Sequence, residues 1–111
     1  MITRYALFKG HVAPSQFDQF KQVVMEDLLP TWLVYPGVSE VRVSFGYGKD
    51  DAAPECPLIL AMDFPDQHAL DKALESQERL ASRAETQRVL PGLFDGQIFH
   101  YLTETETRRG N

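Results

Sequence analysis

The sequence predicts an α+β fold: a four-stranded antiparallel sheet with two helices on one of its faces. The prediction rests on the order of the patterned segments, on a clean apolar–polar alternation in Val38–Tyr47, and on a strand-like segment that follows Pro91-Gly92. The segments run strand, helix, strand, strand, helix, strand within 111 residues. That order is the ferredoxin-like βαββαβ unit.

The first half of the chain carries a strand, a helix and a second strand. Ile2–His11 mixes β-branched, aromatic and apolar residues, which is typical of a strand. Ser15 is expected to cap the helix, and Pro30 is expected to stop or kink it, because proline lacks a backbone donor. The helix carries one apolar face at three- and four-residue steps, formed by Phe17, Phe20, Val24, Leu28 and Trp32. In Val38–Tyr47 the alternation predicts a half-buried strand.

The second half repeats the pattern with one strand, a broken helix and a last strand. Leu58–Met62 is apolar on both faces, which indicates a strand covered on both sides. Asp66 is expected to cap the second helix and Ser76 to break it by acting as a second N-cap. After the break the apolar stripe is expected to resume at Leu80, Ala81 and Ala84. Gln97–Thr103 is predicted to be the last strand.

Length, charge and cysteine content narrow the class of protein. A chain of this length forms one domain, expected over residues 1–103, with residues 104–111 as a frayed C-terminal tail. The net charge of −5 and the scattered basic residues argue against a nucleic-acid partner. The single cysteine, Cys56, has no internal partner, and no leader or bilayer-length apolar run is present. We therefore expect a cytoplasmic protein with no membrane partner.

The apolar character of two strands predicts self-association. Two helices can cover only one face of a four-stranded sheet. Leu58–Met62 is apolar on both faces and Tyr5–Phe8 is nearly so, which would leave a large apolar patch in water. A second copy packed sheet against sheet would cover it, so the sequence predicts a homodimer.

Four short motifs at the ends of the predicted elements carry a family resemblance: Leu29-Pro30, Tyr35-Pro36-Gly37-Val38, Ala73-Leu74-Glu75-Ser76 and Phe94-Asp95-Gly96. Together with the order of elements, over about residues 2–103, they resemble the EthD-like family of the dimeric α+β barrel superfamily. The resemblance implies a dimer with a pocket between the sheet and the helices of each subunit. The superfamily includes monooxygenases, muconolactone isomerases, polyketide cyclases, haem-degrading enzymes and proteins of no known activity, so it selects no reaction.

The sequence departs from the family at one position of chemical interest. EthD-like proteins usually carry a histidine two residues before the proline that ends the first helix. This sequence has Leu28 there. Any chemical role of that histidine is therefore absent or carried by another residue.

His100 is the candidate catalytic residue. It lies in the middle of the last predicted strand, flanked on its own face by Ile98 and Leu102. A histidine in this setting can be held neutral near pH 7 and act as a general base. The alternative is a structural histidine that hydrogen-bonds a neighbour across the sheet or the dimer.

Substrate-binding candidates share planar or phenolic side chains on predicted strands and helix ends: Arg4, Tyr5, Trp32, Arg42, Tyr47 and Tyr101. Arginine recognises planar anions through its two-pronged guanidinium group, and tyrosine hydroxyls can orient a carboxylate or a phenol. The alternatives are that the tyrosines and Trp32 pack the core, and that Arg42 belongs to an exposed polar strand face with Glu40 and Ser44.

No metal or cofactor site is expected. His11 and His68 have no Cys, His or carboxylate at a metal-binding spacing, and Cys56 has no basic neighbour to activate it. Phosphate-cradling glycine loops and dinucleotide-binding motifs are absent from the sequence.

Three hypotheses for function follow. The first is a small cofactor-independent enzyme, a monooxygenase, isomerase or cyclase acting on an aromatic, lactone or polyketide-like molecule. In it His100 is the acid–base group. The second is a non-catalytic homodimer that binds a small ligand or supports another enzyme. The third is a haem-binding protein with His100 or His68 as axial ligand.

Overall fold

A computed structural model of the protein describes all residues from 1 to 111. The strands are β1 (Ile2–His11), β2 (Glu40–Phe45), β3 (Leu58–Phe64) and β4 (Asp95–Glu104). The helices are α1 (Phe17–Val23), α2 (Leu29–Leu33), α3 (Gln67–Leu74) and α4 (Gln77–Val89). A 3₁₀ turn at Pro14–Gln16 precedes α1, and a π turn at Val24–Leu28 joins α1 to α2. None of these helices combines the length and the apolarity that a membrane crossing needs.

The four strands form one antiparallel sheet in the order β2-β3-β1-β4. This arrangement confirms the α+β ferredoxin-like fold predicted from the sequence. Side chains alternate between two faces along each strand. We call the face that packs on the helices the helix face and the opposite one the outer face. Ala6 of β1 lies between Leu60 of β3 and His100 of β4, which fixes the register of the helix face.

The first helical region is continuous through its proline. Pro30 stands in the first turn of α2, where its missing N–H is tolerated, and the π turn lies directly before it. Pro30 therefore does not stop the helix, and Leu28, in the π turn before it, is completely buried. The expected cap at Ser15 is wrong, because this residue lies within the 3₁₀ turn and makes no capping hydrogen bond.

The second helical region is split where the sequence indicated. The side chain of Asp66 accepts a hydrogen bond of 2.9 Å from the backbone N–H of Ala69 at the start of α3. Ser76 accepts one of 3.2 Å from Arg79 at the start of α4. The predicted apolar stripe of α4 is wrong: Leu80, Ala81 and Ala84 are exposed, whereas Ser82 is buried. A polar face of α4 therefore points towards the sheet.

The core lies between the helix face and the helical regions. Its largest fully buried side chains include Phe20, Leu28, Leu58, Phe64 and Leu70. The C-terminal segment continues beyond the expected end of the domain. β4 runs to Glu104, and the backbone N–H of Thr105 donates to the carbonyl of Met1 at 2.9 Å.

Candidate active site

A cavity of about 410 Å³ lies between the sheet, α2 and α4. Its volume is in the range of small-molecule sites. Six of its thirteen lining residues are apolar: Ala6, Phe8, Trp32, Tyr35, Leu60 and Ile98. The strands supply the floor and α4 the roof. The polar face of α4 is thus explained, because it covers a cavity and not a packed core.

The polar part of the lining is strongly basic. Arg4 and His100 rise from the sheet, and Arg79 and Arg83 descend from α4. No aspartate or glutamate lines the cavity. The remaining polar lining residues are the uncharged Ser82, Thr86 and Gln87. The cavity therefore has a positive charge that its own walls do not neutralise.

The register places the basic and apolar groups at different ends. Arg4, Ala6 and Phe8 follow one another along the helix face of β1. His100 is the partner of Ala6 on β4, and Ile98 is the partner of Phe8. Phe8 also packs edge-on against Phe94, with ring centroids 5.7 Å apart. The Arg4–His100 end is cationic and the Phe8–Ile98 end is apolar.

The cationic end keeps His100 neutral. Burial, followed by repulsion from Arg4, Arg79 and Arg83, lowers the pKa of His100 from 6.5 to about 4. Burial also lowers the pKa of Arg4, although the nearby Tyr35 opposes this. At pH 7 His100 is therefore an uncharged imidazole, and its basicity rises when a bound anion offsets the charge of the arginines. It is partly open to solvent, so a ligand can reach it.

The arginines of the cavity have no carboxylate partners. The ion pairs of the protein involve His11, Arg42, Arg88 and Arg108, and none includes Arg4, Arg79 or Arg83. Arg79 donates only to the backbone carbonyl of Leu74, at 3.3 Å. Three guanidinium groups are thus available to a ligand.

Three of the residues singled out from the sequence meet in this cavity, namely Arg4, Trp32 and His100. Three others, Tyr5, Arg42 and Tyr101, lie on the outer face and do not reach it. Tyr47 lies in the loop between β2 and β3 with its side chain fully exposed. The structure adds residues that sequence reasoning missed: Tyr35, Arg79, Ser82, Arg83, Thr86 and Gln87.

A signal for the α4 residues was present in the sequence. Arg79, Arg83 and Thr86 recur at steps of four and three, which places them on one side of a helix. The competing apolar residue Leu80 drew the prediction to the wrong side. Leu28 packs in the core and does not line the cavity. The protein has no cluster of three or more His, Cys, Asp or Glu side chains placed to hold a metal ion.

Solved structures share this fold over nearly the whole chain. An ethyl tert-butyl ether D (EthD) family protein from Bacillus halodurans superposes with a TM-score of 0.75 and 19% identity, covering 96% of this chain and 99% of that one. SnoaB, a cofactor-independent oxygenase from Streptomyces nogalater, gives 0.61 and 18% over 96% and 94%. A dimeric ferredoxin-like protein of unknown function from Thermobifida fusca gives 0.61 and 15% over 94% and 90%.

These similarities support the resemblance to EthD-like dimeric α+β barrel proteins, and at this identity they establish the shared fold. No protein-family model matches the sequence. No curated protein matches it either. The shared fold selects no reaction, so the chemistry depends on the residues that line the cavity.

Proposed function

We propose that the protein is a small cofactor-independent enzyme that acts on an aromatic, lactone or polyketide-like molecule as a monooxygenase, isomerase or cyclase. The observation that carries the proposal is the neutral imidazole of His100 inside a cavity lined by three arginines. The same fold in SnoaB, a cofactor-independent oxygenase, supports the class of enzyme.

The step common to these reactions is proton abstraction. His100 accepts a proton from an acidic C–H or O–H of the bound substrate, which leaves an enolate or phenolate. The negative charge develops beside Arg4, Arg79 and Arg83, which stabilise it electrostatically. The imidazolium then returns its proton to another atom of the substrate in an isomerisation or cyclisation. In a monooxygenase the carbon of the enolate or phenolate would instead bond to dioxygen as co-substrate, and the imidazolium would protonate the resulting peroxide. Loss of water from this hydroperoxide, with cleavage of the O–O bond and of the remaining C–H bond, would leave one oxygen atom on the substrate as a ketone or quinone.

Replacement of His100 tests this role. We expect His100→Ala to lower turnover by about 10²- to 10⁴-fold, the usual contribution of a general base. The assay follows phenols, enol lactones and β-dicarbonyl compounds by mass spectrometry. His68→Ala is the matched control, because His68 is exposed at the start of α3 and outside the cavity. Unchanged turnover of a discovered substrate in His100→Ala would contradict the assignment.

We further propose that the protein is a homodimer that buries the outer face. Tyr5, Leu7, Ile59 and Tyr101 line a shallow apolar depression there. Tyr101 is 52% exposed in the single chain, and the neighbouring Phe99 is 42% exposed. The dimeric state of the Thermobifida fusca protein with the same fold supports this assembly.

Light scattering on two charge-inserting variants tests the dimer. Ile59→Lys places an ammonium group on the outer face and is expected to yield monomers. Leu80→Lys, an exposed position on α4, is the control and should leave the dimer intact. A wild-type monomer at micromolar concentration would rule out the homodimer.

A non-catalytic ligand-binding or accessory homodimer is the second candidate. It is favoured by Leu28 in place of the family histidine and by the lack of a carboxylate in the cavity that could act as a second acid–base group. Tight ligand binding without turnover across the substrate panel would establish it. Haem binding is the third, and a Soret band after addition of haemin would support it.

A further inference from the structure

The cationic end of the cavity contrasts with the charge of the whole protein. The chain has 16 acidic and 11 basic residues, yet no acidic side chain lines the cavity. Elsewhere Arg42 pairs with Asp63, Arg88 with Glu85 at 2.7 Å and Arg108 with Glu106 at 3.6 Å. Of the four arginines without an ion pair, three line the cavity, and the fourth, Arg109, lies near the C-terminus.

Unpaired guanidinium groups beside a neutral imidazole form a site with donors and no charged acceptor. Arg4 is half-buried at the floor, and Arg83 is exposed at the roof. An anion between them would receive charge-assisted hydrogen bonds from two directions. It would also relieve the repulsion between Arg4 and Arg79, which together with burial disfavours the charged form of Arg4.

The opposite end of the cavity defines the rest of the ligand. Phe8 and Ile98 present aromatic and aliphatic surface, and Trp32 closes the side next to α2. A free inorganic anion would leave this surface uncovered, whereas a flat apolar body would bury it. Arg4 and Phe8, which mark the two ends, are four residues apart on β1, or about 13 Å in a strand. This distance limits the ligand to a small molecule.

We propose that the cavity binds a small planar organic acid, with its carboxylate held by Arg4, Arg79 and Arg83 and its apolar body against Phe8, Ile98 and Trp32. The inference rests on the proposed function for the location of the site, but it requires no turnover. It narrows the substrate from any aromatic, lactone or polyketide-like molecule to one that carries a carboxylate.

Calorimetric titration with matched ligand pairs tests the inference. The pairs are benzoate with benzamide and 2-naphthoate with 2-naphthamide, which differ in charge but little in shape. We expect each carboxylate to bind about 10- to 100-fold more tightly than its amide, as for hydrogen bonds between charged groups. Arg4→Gln and Arg83→Gln should remove most of this preference. Arg88→Gln, on the same helix but paired with Glu85 outside the cavity, should retain it.

Several results would overturn the inference. Equal binding of acids and amides would show that charge is not recognised, and absence of binding by both acids would show that the cavity does not take such ligands. Inorganic phosphate that binds as tightly as 2-naphthoate would indicate a simple anion site. Circular dichroism checks that the variants fold, and the exposed Arg83 carries the test if Arg4→Gln unfolds.

The outcomes separate this inference from the proposed enzyme. Selective binding of the acids without turnover of any substrate in the panel supports the inference and contradicts catalysis. Turnover that depends on His100 but occurs only with uncharged substrates supports catalysis and contradicts the inference.

Discussion

The two faces of the sheet treat arginine in opposite ways. On the outer face, Arg42 of β2 makes a two-pronged ion pair with Asp63 of β3, a carboxylate that is only 1% exposed. On the helix face, Arg4 of β1 has no carboxylate partner and faces two further arginines across the cavity. The first arrangement satisfies a buried charge and stabilises the fold. The second leaves charge unsatisfied, as functional sites often do.

The pKa shifts on the two faces have opposite effects on the charged forms of the side chains. Hydrogen bonds from Arg42 hold the pKa of Asp63 below its usual value, and the same contact raises the pKa of Arg42. Both shifts favour the charged forms. In the cavity, burial lowers the pKa of Arg4 and of His100, which disfavours their charged forms. The charges of Arg42 and Asp63 on the outer face are therefore paired without a ligand. In the cavity, a bound anion would reduce the repulsion between the basic groups.

Removal of the buried carboxylate should give the largest effect on stability. Asp63 also accepts a hydrogen bond of 2.7 Å from the buried hydroxyl of Thr3. We expect Asp63→Asn to lower the free energy of unfolding by about 2 kcal/mol at pH 7, because Arg42 loses its charge partner. Urea unfolding at matched protein concentrations measures the difference. The binding of 2-naphthoate should not change.

Glu40→Gln is the matched control for this variant. Glu40 contacts the same guanidinium group at 3.5 Å but is exposed, so we expect a loss of about 0–0.5 kcal/mol. The effect of Asp63→Asn should also depend on pH. Because the pKa of Asp63 is lowered in the folded state, its stabilisation is complete above the unfolded value near 3.8 and is lost as the pH falls through the folded value. An equal loss in both variants at pH 7 would contradict the assignment of Asp63 as the stabilising partner.

The sequence predicted the outer face better than the cavity. The alternation in β2 placed Arg42 opposite the apolar stripe, and the structure keeps it there. Period-two alternation needs only local information, because a strand has two faces and one of them is apolar. In β1 and β4 both faces mix apolar and polar residues, so the sequence left the directions of Arg4 and His100 open.

The α4 side chains that form the roof of the cavity could not be predicted from the local sequence, for a different reason. A helix is predicted to bury its apolar stripe, but α4 exposes Leu80 and places Arg79 and the exposed Arg83 along the cavity. Ser76 fixes where α4 begins, which the sequence indicated, but the face that α4 turns to the sheet also depends on its contacts with α2, which only the tertiary structure supplies. The unfilled volume below α4 then accepts polar side chains. A site of this kind violates the hydrophobic pattern that makes folds predictable.

The stability of the protein should depend on pH through His100. The folded-state pKa of His100, about 4, lies below the unfolded value of 6.5, so the unfolded chain binds more protons between these values. The contribution of neutral His100 to stability is therefore constant above pH 6.5 and falls as the pH decreases from 6.5 to 4. We expect His100→Asn to lose less stability than the wild type over this window, as measured by urea unfolding at several pH values.

His68→Asn is the control for the pH experiment, because His68 is exposed on α3. The pH dependence of the unfolding free energy of His68→Asn should match that of the wild type more closely than that of His100→Asn does. Titration of His100 by NMR would locate its pKa directly. Saturation with 2-naphthoate should raise that pKa, because a carboxylate offsets the three arginines. A value near 6.5 without ligand would contradict the electrostatic description of the cavity.

Replacement of Arg4 should have the smallest effect on the free energy of unfolding, and it tests directly whether the unpaired charge of Arg4 serves ligand binding. Arg4→Met removes a half-buried cation that repels Arg79 and keeps an unbranched side chain of similar length. Because no carboxylate is left without a partner, we expect the free energy of unfolding to stay equal or to rise by about 0.5 kcal/mol while the binding of 2-naphthoate is lost. Lys9→Met is the control on the outer face of the same strand, where the ammonium group lies 5.6 Å from the ring of Phe99. It should lower stability slightly and leave 2-naphthoate binding intact. A loss of stability in Arg4→Met as large as that in Asp63→Asn would mean that Arg4 supports the fold, and the contrast between the two faces would no longer hold.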